Sequence, residues 1–495
     1  MILKATILLS FILVGCQKMN TNDDTLHAPM SVPVNLSKID SRTIETTFQY
    51  QLLININLTL LEYDKDSNLV TLLAEDYEIN DRTITFQIKK GIRTKNNHEI
   101  KAIDAEISLK RLIISKGSHS RLSQLLCSEE NSPDCPGISS KNYELKLVAK
   151  KKSYIPFILN LLTSADNVIF PTTALSSQSP ESKIINFLET TGPYYIDADI
   201  KDVNLNHFEL KLNNFHFLNK DLPKSILYSL VEDSEIFVEN KLNPRFNYIH
   251  NVLSVRIEKL DKLKDNDSSV KIYNTGPLKN AMIFTTQNGK NKFSSLDLLH
   301  HELSIKKALL NSKDSFPNIR QIQTEYFPSG SDGALRTEQA IELENTYNLA
   351  LKHKPKKYPI VLGLFPGNYE RYHKVFLNSD MIKTIKLTDE SLENEADLYI
   401  DTIDTSFQES LDLLEYAKNF GIFKISDEEM QLYIDANSKN ERLKILQNVH
   451  FNSLMAGYCL TIGSSPYVTI INKKWEAAPP TIFVGFPVWK ITKKN

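Results

Sequence analysis

The chain has 495 residues, 41% of them hydrophobic, which is ample material for packed cores and suggests about two to four domain-sized units. Its 58 basic and 60 acidic residues leave a formal net charge of −2, which argues against a nucleic-acid partner, since that would normally need a basic stripe. With only 15 glycines, dedicated phosphate-cradling loops are not expected either.

The first residues, MILKATILLSFILVGCQK, place Lys4 before an apolar run from Ala5 to Val14 that is too short to span a bilayer as a helix. This is an export signal, residues 1–15. It ends on Leu13-Val14-Gly15-Cys16, the pattern of a bacterial lipoprotein cleavage site, so the Cys16 sulfur is the expected lipidation site. An ordinary signal peptide with an incidental cysteine is the alternative. Residues 16–28 then read as the lipidated cysteine and a polar tether.

LTLLEYDKDSNLV follows as a strand-like segment broken by a turn. LLAEDYEINDRTITFQIKKGIR is a hairpin with a tight turn at Asn80-Asp81-Arg82, its second strand placing Ile84, Phe86 and Ile88 on one face. IDAEISLKRLII suits an amphipathic helix, with Asp104 early and Lys110-Arg111 late, as the helix dipole favours. In an oxidising envelope Cys127 and Cys135 are a candidate disulfide across the turn-rich EENSPD, whereas Cys459 reads as a buried thiol. YELKLVAK is a strand, and PESKIINFLETTGPYYI a short helix leading through Gly192-Pro193 into another strand. HFELKLNNF pairs with that strand.

SSLDLLHHELSIKKALLNSKD has the pattern of a helix of about five turns with Leu296, Leu299, Leu303, Ala308 and Leu310 as its stripe. From Glu338 onward helices alternate with the strands YPIVLGLF, MIKTIKL and ADLYI, which suggests an α/β lobe distinct from the strand-rich first half. Ser426 and Glu429 form a capping-box pattern. KNERLKILQNVHFNSLM is a further helix, and PYVTIIN and TIFVGFPVWKI return to strands.

No catalytic or metal-binding constellation emerges. His300-His301-Glu302 lacks the i, i+4 spacing of a helical zinc site and reads as a solvated helix face. No Gly-x-Ser-x-Gly elbow occurs. The chain is therefore expected to be no enzyme and to need no cofactor.

Certain residues recur in a recognisable order: Leu73-Ala74-Glu75, Tyr77, Asp81, Phe86, Ile88 and Lys89-Lys90-Gly91, then Ala102, Asp104 and Ser108-Leu109-Lys110-Arg111. Thr191-Gly192-Pro193-Tyr194-Tyr195 and Glu441-Arg442 follow. In these the chain resembles the extracellular solute-binding proteins of ABC importers, the peptide, dipeptide and nickel class known as family 5. It departs from them in having Asn97-His98 in place of a turn glycine, although asparagine tolerates a positive φ. It also lacks the tryptophan and proline of the segment whose aspartate receives a peptide amino terminus.

The resemblance implies a mixed α/β, two-lobed, periplasmic-binding-protein-like type II fold. Lobe I would be residues 29–275 plus 466–495, with an inserted subdomain at about 46–165, and lobe II residues 276–465. It further implies a monomeric receptor in the cell envelope, held at a membrane by its lipid, that passes a peptide or similar small solute to an ABC permease and ATPase. Asp404, or else Asp401, would stand for the amine-binding carboxylate, with Tyr369 and Arg371 nearby. The plain alternative is that the aspartates cap a helix and that Tyr369 and Arg371 form one solvated turn. A peptide- or protein-sensing, chaperone-like lipoprotein without transport function is the second functional reading.

Overall fold

The computed structural model describes residues 24–494, apart from 31–32, 45, 67, 115–120, 128–134, 202–203, 219–220, 233–234, 240, 250–259, 261, 264–266, 313–321, 328–332, 356–358, 389–394, 405–409, 420 and 478–486. Cys16 and the export signal therefore lie outside the described residues.

The first strand, Thr25–Met30, buries Leu26, Ala28 and Met30 and runs parallel to Ser225–Leu230. His207–Leu212 and Tyr194–Ile196 complete this four-stranded sheet. Thr25 to Ala28 thus belong to a core strand, which corrects their expected place in the tether. Their alternating apolar side chains find a buried sheet face, which a solvated linker would not offer. No helix forms in residues 180–193, where the sequence suggested one.

The hairpin Ala74–Asn80 and Thr83–Ile88 turns at Asp81, which takes φ 52°, and Ile84, Phe86 and Ile88 are fully buried. Glu144–Val148 and Ile138–Lys141 extend it to a four-stranded sheet, against which the helix Ala102–Ile113 packs. Asn97 has φ 69°, so the turn survives without glycine. Cys127 and Cys135 are joined in a disulfide and Cys459 is a buried free thiol.

The residues that carry the resemblance prove to be fasteners. Buried Asp104 accepts hydrogen bonds from Lys101 N (2.8 Å), Thr172 N (2.6 Å) and Thr172 Oγ1 (2.9 Å), and Ser108 bonds both N and O of Phe170. Thr191 Oγ1 donates to Ile169 O (2.6 Å) and accepts from Leu58 N (2.8 Å). Beside it, a Cβ on Gly192 would stand 2.7 Å from the carbonyl carbon of Ile56 and 3.0 Å from Asn57 N, both backbone atoms. Gly192→Ala is accordingly expected to lower the unfolding free energy by about 1–3 kcal/mol or more, read by urea denaturation, because backbone cannot rotate away as a side chain does. A change within ~0.5 kcal/mol would show that the segment relaxes freely.

The last sheet has six strands in the order Tyr248–Ile249, Cys459–Asn472, Val270–Thr285, Leu398–Asp404, Ile360–Leu364, Ile382–Lys386. Its two long strands, of 14 and 16 residues, pair antiparallel with register shifts between Thr275 and Leu278 and between Ala281 and Met282. One sheet face, with Met282, Phe284 and Cys459, meets the helices Ser410–Asn419 and Lys439–Met455. The other, with Ile283, Leu362, Ile400 and Leu460, meets the helix Ser295–Asn311. That helix buries Leu298, Leu299, Ile305 and Leu309, which share only Leu299 with the expected stripe, and also His301 and Glu302. The solvated-face reading of His300-His301-Glu302 is therefore wrong: a helix covered by both sheet and the helix Thr337–Lys352 has too little solvent-facing arc to expose all three.

Candidate ligand cleft

Three parallel strands, Ile360–Leu364, Ile382–Lys386 and Leu398–Asp404, end at the same edge of the six-stranded sheet. Ligands of open α/β sheets sit outside such carboxyl ends. Here the edge coincides with the stretch where the two long strands change register. Asp404 is opposite Lys279, which is opposite Ser465; one row inward, Ile403, Asn280 and Ser464 line up.

Asp401 and Asp404 occupy strand positions of opposite parity, so one strand cannot present both to the same face. Asp401 is half-buried and its Oδ1 accepts from Thr402 N at 2.7 Å. Tyr369 lies on the short helix Pro366–Tyr372 that follows the strand Ile360–Leu364. It stacks on His373 at 4.7 Å and packs against the Ile283 and Leu362 core. Arg371 is on the same helix. The side chains of Asp404 and Arg371 lie outside the described residues.

Sequence reading missed the polar row beside these residues. Asn280 and Ser464 are almost fully buried; Asn280 Nδ2 donates to Tyr326 O (3.2 Å) and its Oδ1 accepts from Gln323 Nε2 (3.3 Å). Gln323 Oε1, Ser464 Oγ and Thr461 Oγ1 have no partner among the described residues. Lys306 Nζ donates to the carbonyls of Gln323 (2.5 Å) and Thr461 (2.9 Å), and burial draws its pKa down to about 8. The signal was polar residues inside otherwise apolar strands, Asn280 in KNAMIF and Ser464 in TIGSSPY, where buried hydroxyls and amides need partners.

The stretch from Lys151 to Phe157 touches the helices Asp427–Asp435 and Lys439–Met455. Lys151 Nζ pairs with Asp435 at 2.5 Å, Tyr154 OH donates to the same carboxylate at 3.3 Å, and the Phe157 ring lies between Tyr433 (6.0 Å) and the Arg442 guanidinium (5.1 Å).

No family model and no curated protein matches the chain. Solved structures do. NikA from Staphylococcus aureus in complex with Ni(L-His)2 is similar over 95% of this chain and 100% of its own, with 16% identity and a TM-score of 0.68. The Escherichia coli murein tripeptide binding protein MppA is similar over 95% and 99%, at 15% identity and 0.69. The substrate-binding domain of an oligopeptide ABC transporter from Bacillus anthracis is similar over 95% and 99%, at 12% identity and 0.68. The chain has the two-lobed type II solute-binding-protein fold. The register shifts of the long strand pair interrupt its ladder between Thr275 and Leu278 and between Ala281 and Met282, where bending costs least pairing.

Proposed function

We propose that the chain is an extracytoplasmic solute-binding protein of family 5, anchored through lipid on Cys16, that closes its lobes over an oligopeptide-like ligand and delivers it to the permease and ATPase of an ABC importer. The observation that carries this reading is the extent of the likeness: 95% of the chain follows binding proteins end to end, with the motif residues in order. Closure needs no chemistry, since a ligand held between lobes favours the closed form by its differential affinity. Lobe I comprises residues 29–275 and 466–495 and lobe II residues 276–465, and the protein acts as a monomer. The Lys151, Tyr154 and Asp435 contact then belongs to the closed state.

An extended peptide would be held by main-chain hydrogen bonds, its ammonium paired to the Asp404 carboxylate, with Tyr369 and Arg371 beside it. Asp401, at the opposite strand parity, is the weaker candidate for that role. The three similar proteins bind unlike ligands, a nickel complex, a murein tripeptide and an oligopeptide, so the ligand must be read from this chain.

The test is native mass spectrometry on the chain from Gln17 onward, purified without denaturant, with sequencing of whatever is released on unfolding. A heterogeneous set of short peptides is expected, and Asp404→Ala should reduce their affinity about tenfold or more by removing a charge-assisted pair. A clean apo mass, unchanged by peptide pools and nickel chelates, would overturn import and favour the sensing or chaperone-like reading.

A further inference from the structure

Several segments meet at one end of the first sheet. Thr25 begins the first strand opposite Ser225, Ser225 lies opposite Lys211, and Leu212 lies opposite Tyr194, so the connection 213–224 crosses the same end. Asp24, the first described residue, is fixed there. Its carbonyl accepts from Lys224 N (2.8 Å), and its carboxylate bridges Lys224 Nζ and Lys493 Nζ, each at 2.7 Å. The last strand, Ile491–Lys493, joins through Lys493 N, which donates to Asp221 O at 3.0 Å.

This connection presents two rings to solvent, Phe215 at 64% exposure and Phe217 at 43%, which forfeits much of what burying them would contribute. Hydrogen bonds hold them there. Buried Asn213 accepts from Phe215 N (3.1 Å) through Oδ1 and donates through Nδ2 to Arg93 O (2.9 Å). Between the two rings His216 points inward and is 1% exposed; its Nε2 donates to Thr191 O (2.8 Å) and its Nδ1 accepts from Leu218 N (3.2 Å). Burial draws the His216 pKa down to about 4, so the ring stays neutral and keeps both bonds near neutral pH.

The charged groups gathered at this end are mainly basic. Lys89 Nζ lies 5.3 Å over the Phe217 ring, and exposed Lys95 has its Nζ 5.4 Å over the Tyr195 ring. Lys224 and Lys493 share Asp24, Lys211 pairs with Asp197 (3.0 Å), Arg93 pairs with Glu99 (3.4 Å), and exposed Lys494 follows. Asp221 adds a carboxylate. Glu62 and Glu75 act on Lys89, and Glu62 is itself paired with Lys490 at 2.7 Å. Even with these counted, basic side chains outnumber carboxylates in the set, and the exposed rings stand among them.

The length of chain ahead of Asp24 indicates what this end faces. The eight residues from Gln17 to Asp24 reach at most roughly 30 Å, about half the width of a compact chain of this length. A lipid on Cys16, the reading on which this inference rests, therefore keeps this end close to the bilayer. We propose that this end of lobe I docks on the anionic membrane surface, with Phe215 and Phe217 entering the headgroup layer and the surrounding lysines meeting lipid phosphates. Apolar rings at the acyl boundary and basic residues near anionic lipid act together in such binding.

The chain from Gln17 onward, which carries no lipid, is sedimented with vesicles of pure phosphatidylcholine and with vesicles holding about one third phosphatidylglycerol. Binding to the anionic vesicles is expected, falling as salt rises, with little binding to the neutral ones. Phe215→Ser with Phe217→Ser should weaken it about tenfold, and Lys95→Glu with Lys494→Glu about as much. Leu349→Ser with Leu351→Ser, which removes exposed leucines of the helix Thr337–Lys352, should leave it unchanged. All of these side chains are exposed, so urea midpoints matching the parent report that the variants fold. No binding to the anionic vesicles, equal binding to both kinds, or unchanged binding in the folded phenylalanine variant would each overturn the docking face. Because the assayed chain has no lipid, such a failure leaves the Cys16 anchor standing, and the mass of the membrane-extracted chain reads that anchor separately.

Discussion

Replacing Glu302 by glutamine is expected to leave stability nearly unchanged at pH 4 and to raise it by several kcal/mol at pH 8, where folding must otherwise hold a proton on a carboxyl that is ionised in the unfolded chain. Glu302 is inaccessible to solvent and its Oε1 lies 3.0 Å from Thr285 Oγ1, which is 2.7 Å from Gly457 O. A hydroxyl has one proton. If Thr285 gives it to the Gly457 carbonyl, the closer of the two, Glu302 must be the donor in the other bond and must therefore be protonated. Burial acts in the same direction and raises the carboxyl pKa from 4.5 to about 8, against smaller opposing effects of Thr285 and Lys290. A folded-state pKa above the unfolded one gives a contribution that is complete below about pH 4.5 and lost progressively up to about pH 8. Glutamine keeps the donor and removes the linkage, so the difference between the proteins should grow across that window by roughly 1.4 kcal/mol per pH unit at most. Urea unfolding at pH 4, 6 and 8 measures it. Parallel pH profiles would mean that Glu302 is ionised and paired at neutral pH, against the hydroxyl geometry.

The second large effect lies in lobe I. Asp40→Asn is expected to destabilise the protein by about 3–5 kcal/mol, since breaking a buried pair from one side strands the other charge. Arg111 is fully buried; its Nη2 donates to Asp40 Oδ2 at 2.8 Å, its Nε to Ser182 O at 3.1 Å, and its guanidinium lies 5.3 Å from the Phe170 ring. Nη1 has no partner. Burial draws the Arg111 pKa down to about 10. Although burial opposes its charge, Asp40 is held below the usual carboxylate range by Arg111 and Arg42. Stability from Asp40 is thus present above its unfolded pKa and lost as pH falls through the lower folded one, so the variant's deficit should shrink in acid. Urea midpoints at pH 7 and pH 3 test both statements. A loss under ~1 kcal/mol at pH 7 would show that water reaches Arg111.

How much was legible in advance depended on the range of the interaction involved. The hairpin was read correctly because its information is local: alternation at Ile84, Phe86 and Ile88 and a tight polar turn at Asn80-Asp81-Arg82, of which Asp81 and Arg82 lie between the strands. The capping box of Ser426 and Glu429 was read for the same reason, and both of its hydrogen bonds are present. By contrast, the helix Ser295–Asn311 was placed rightly but its buried face was not, because which arc is covered depends on neighbours distant in the chain. His301 and Glu302 were assigned to solvent because their spacing is not that of a helical zinc site, whereas the packing of helix on sheet decides their burial. Thr25 to Ala28 were given to a tether because their strand partner, Ser225–Leu230, lies 200 residues away.

The sequence by itself determined most element types, the tight turns and, through a resemblance in ordered motifs, the two-lobed fold that is found. It did so because turn chemistry and periodicity constrain single residues or near neighbours. The tertiary structure alone decided which residues share a place. Strand parity separates Asp401 from Asp404, register sets Asn280 against Ser464, and the folded chain brings the Phe215 connection to the sheet end where Thr25 begins. Those relations are set by pairing and packing between segments scores to hundreds of residues apart, and no local pattern encodes them.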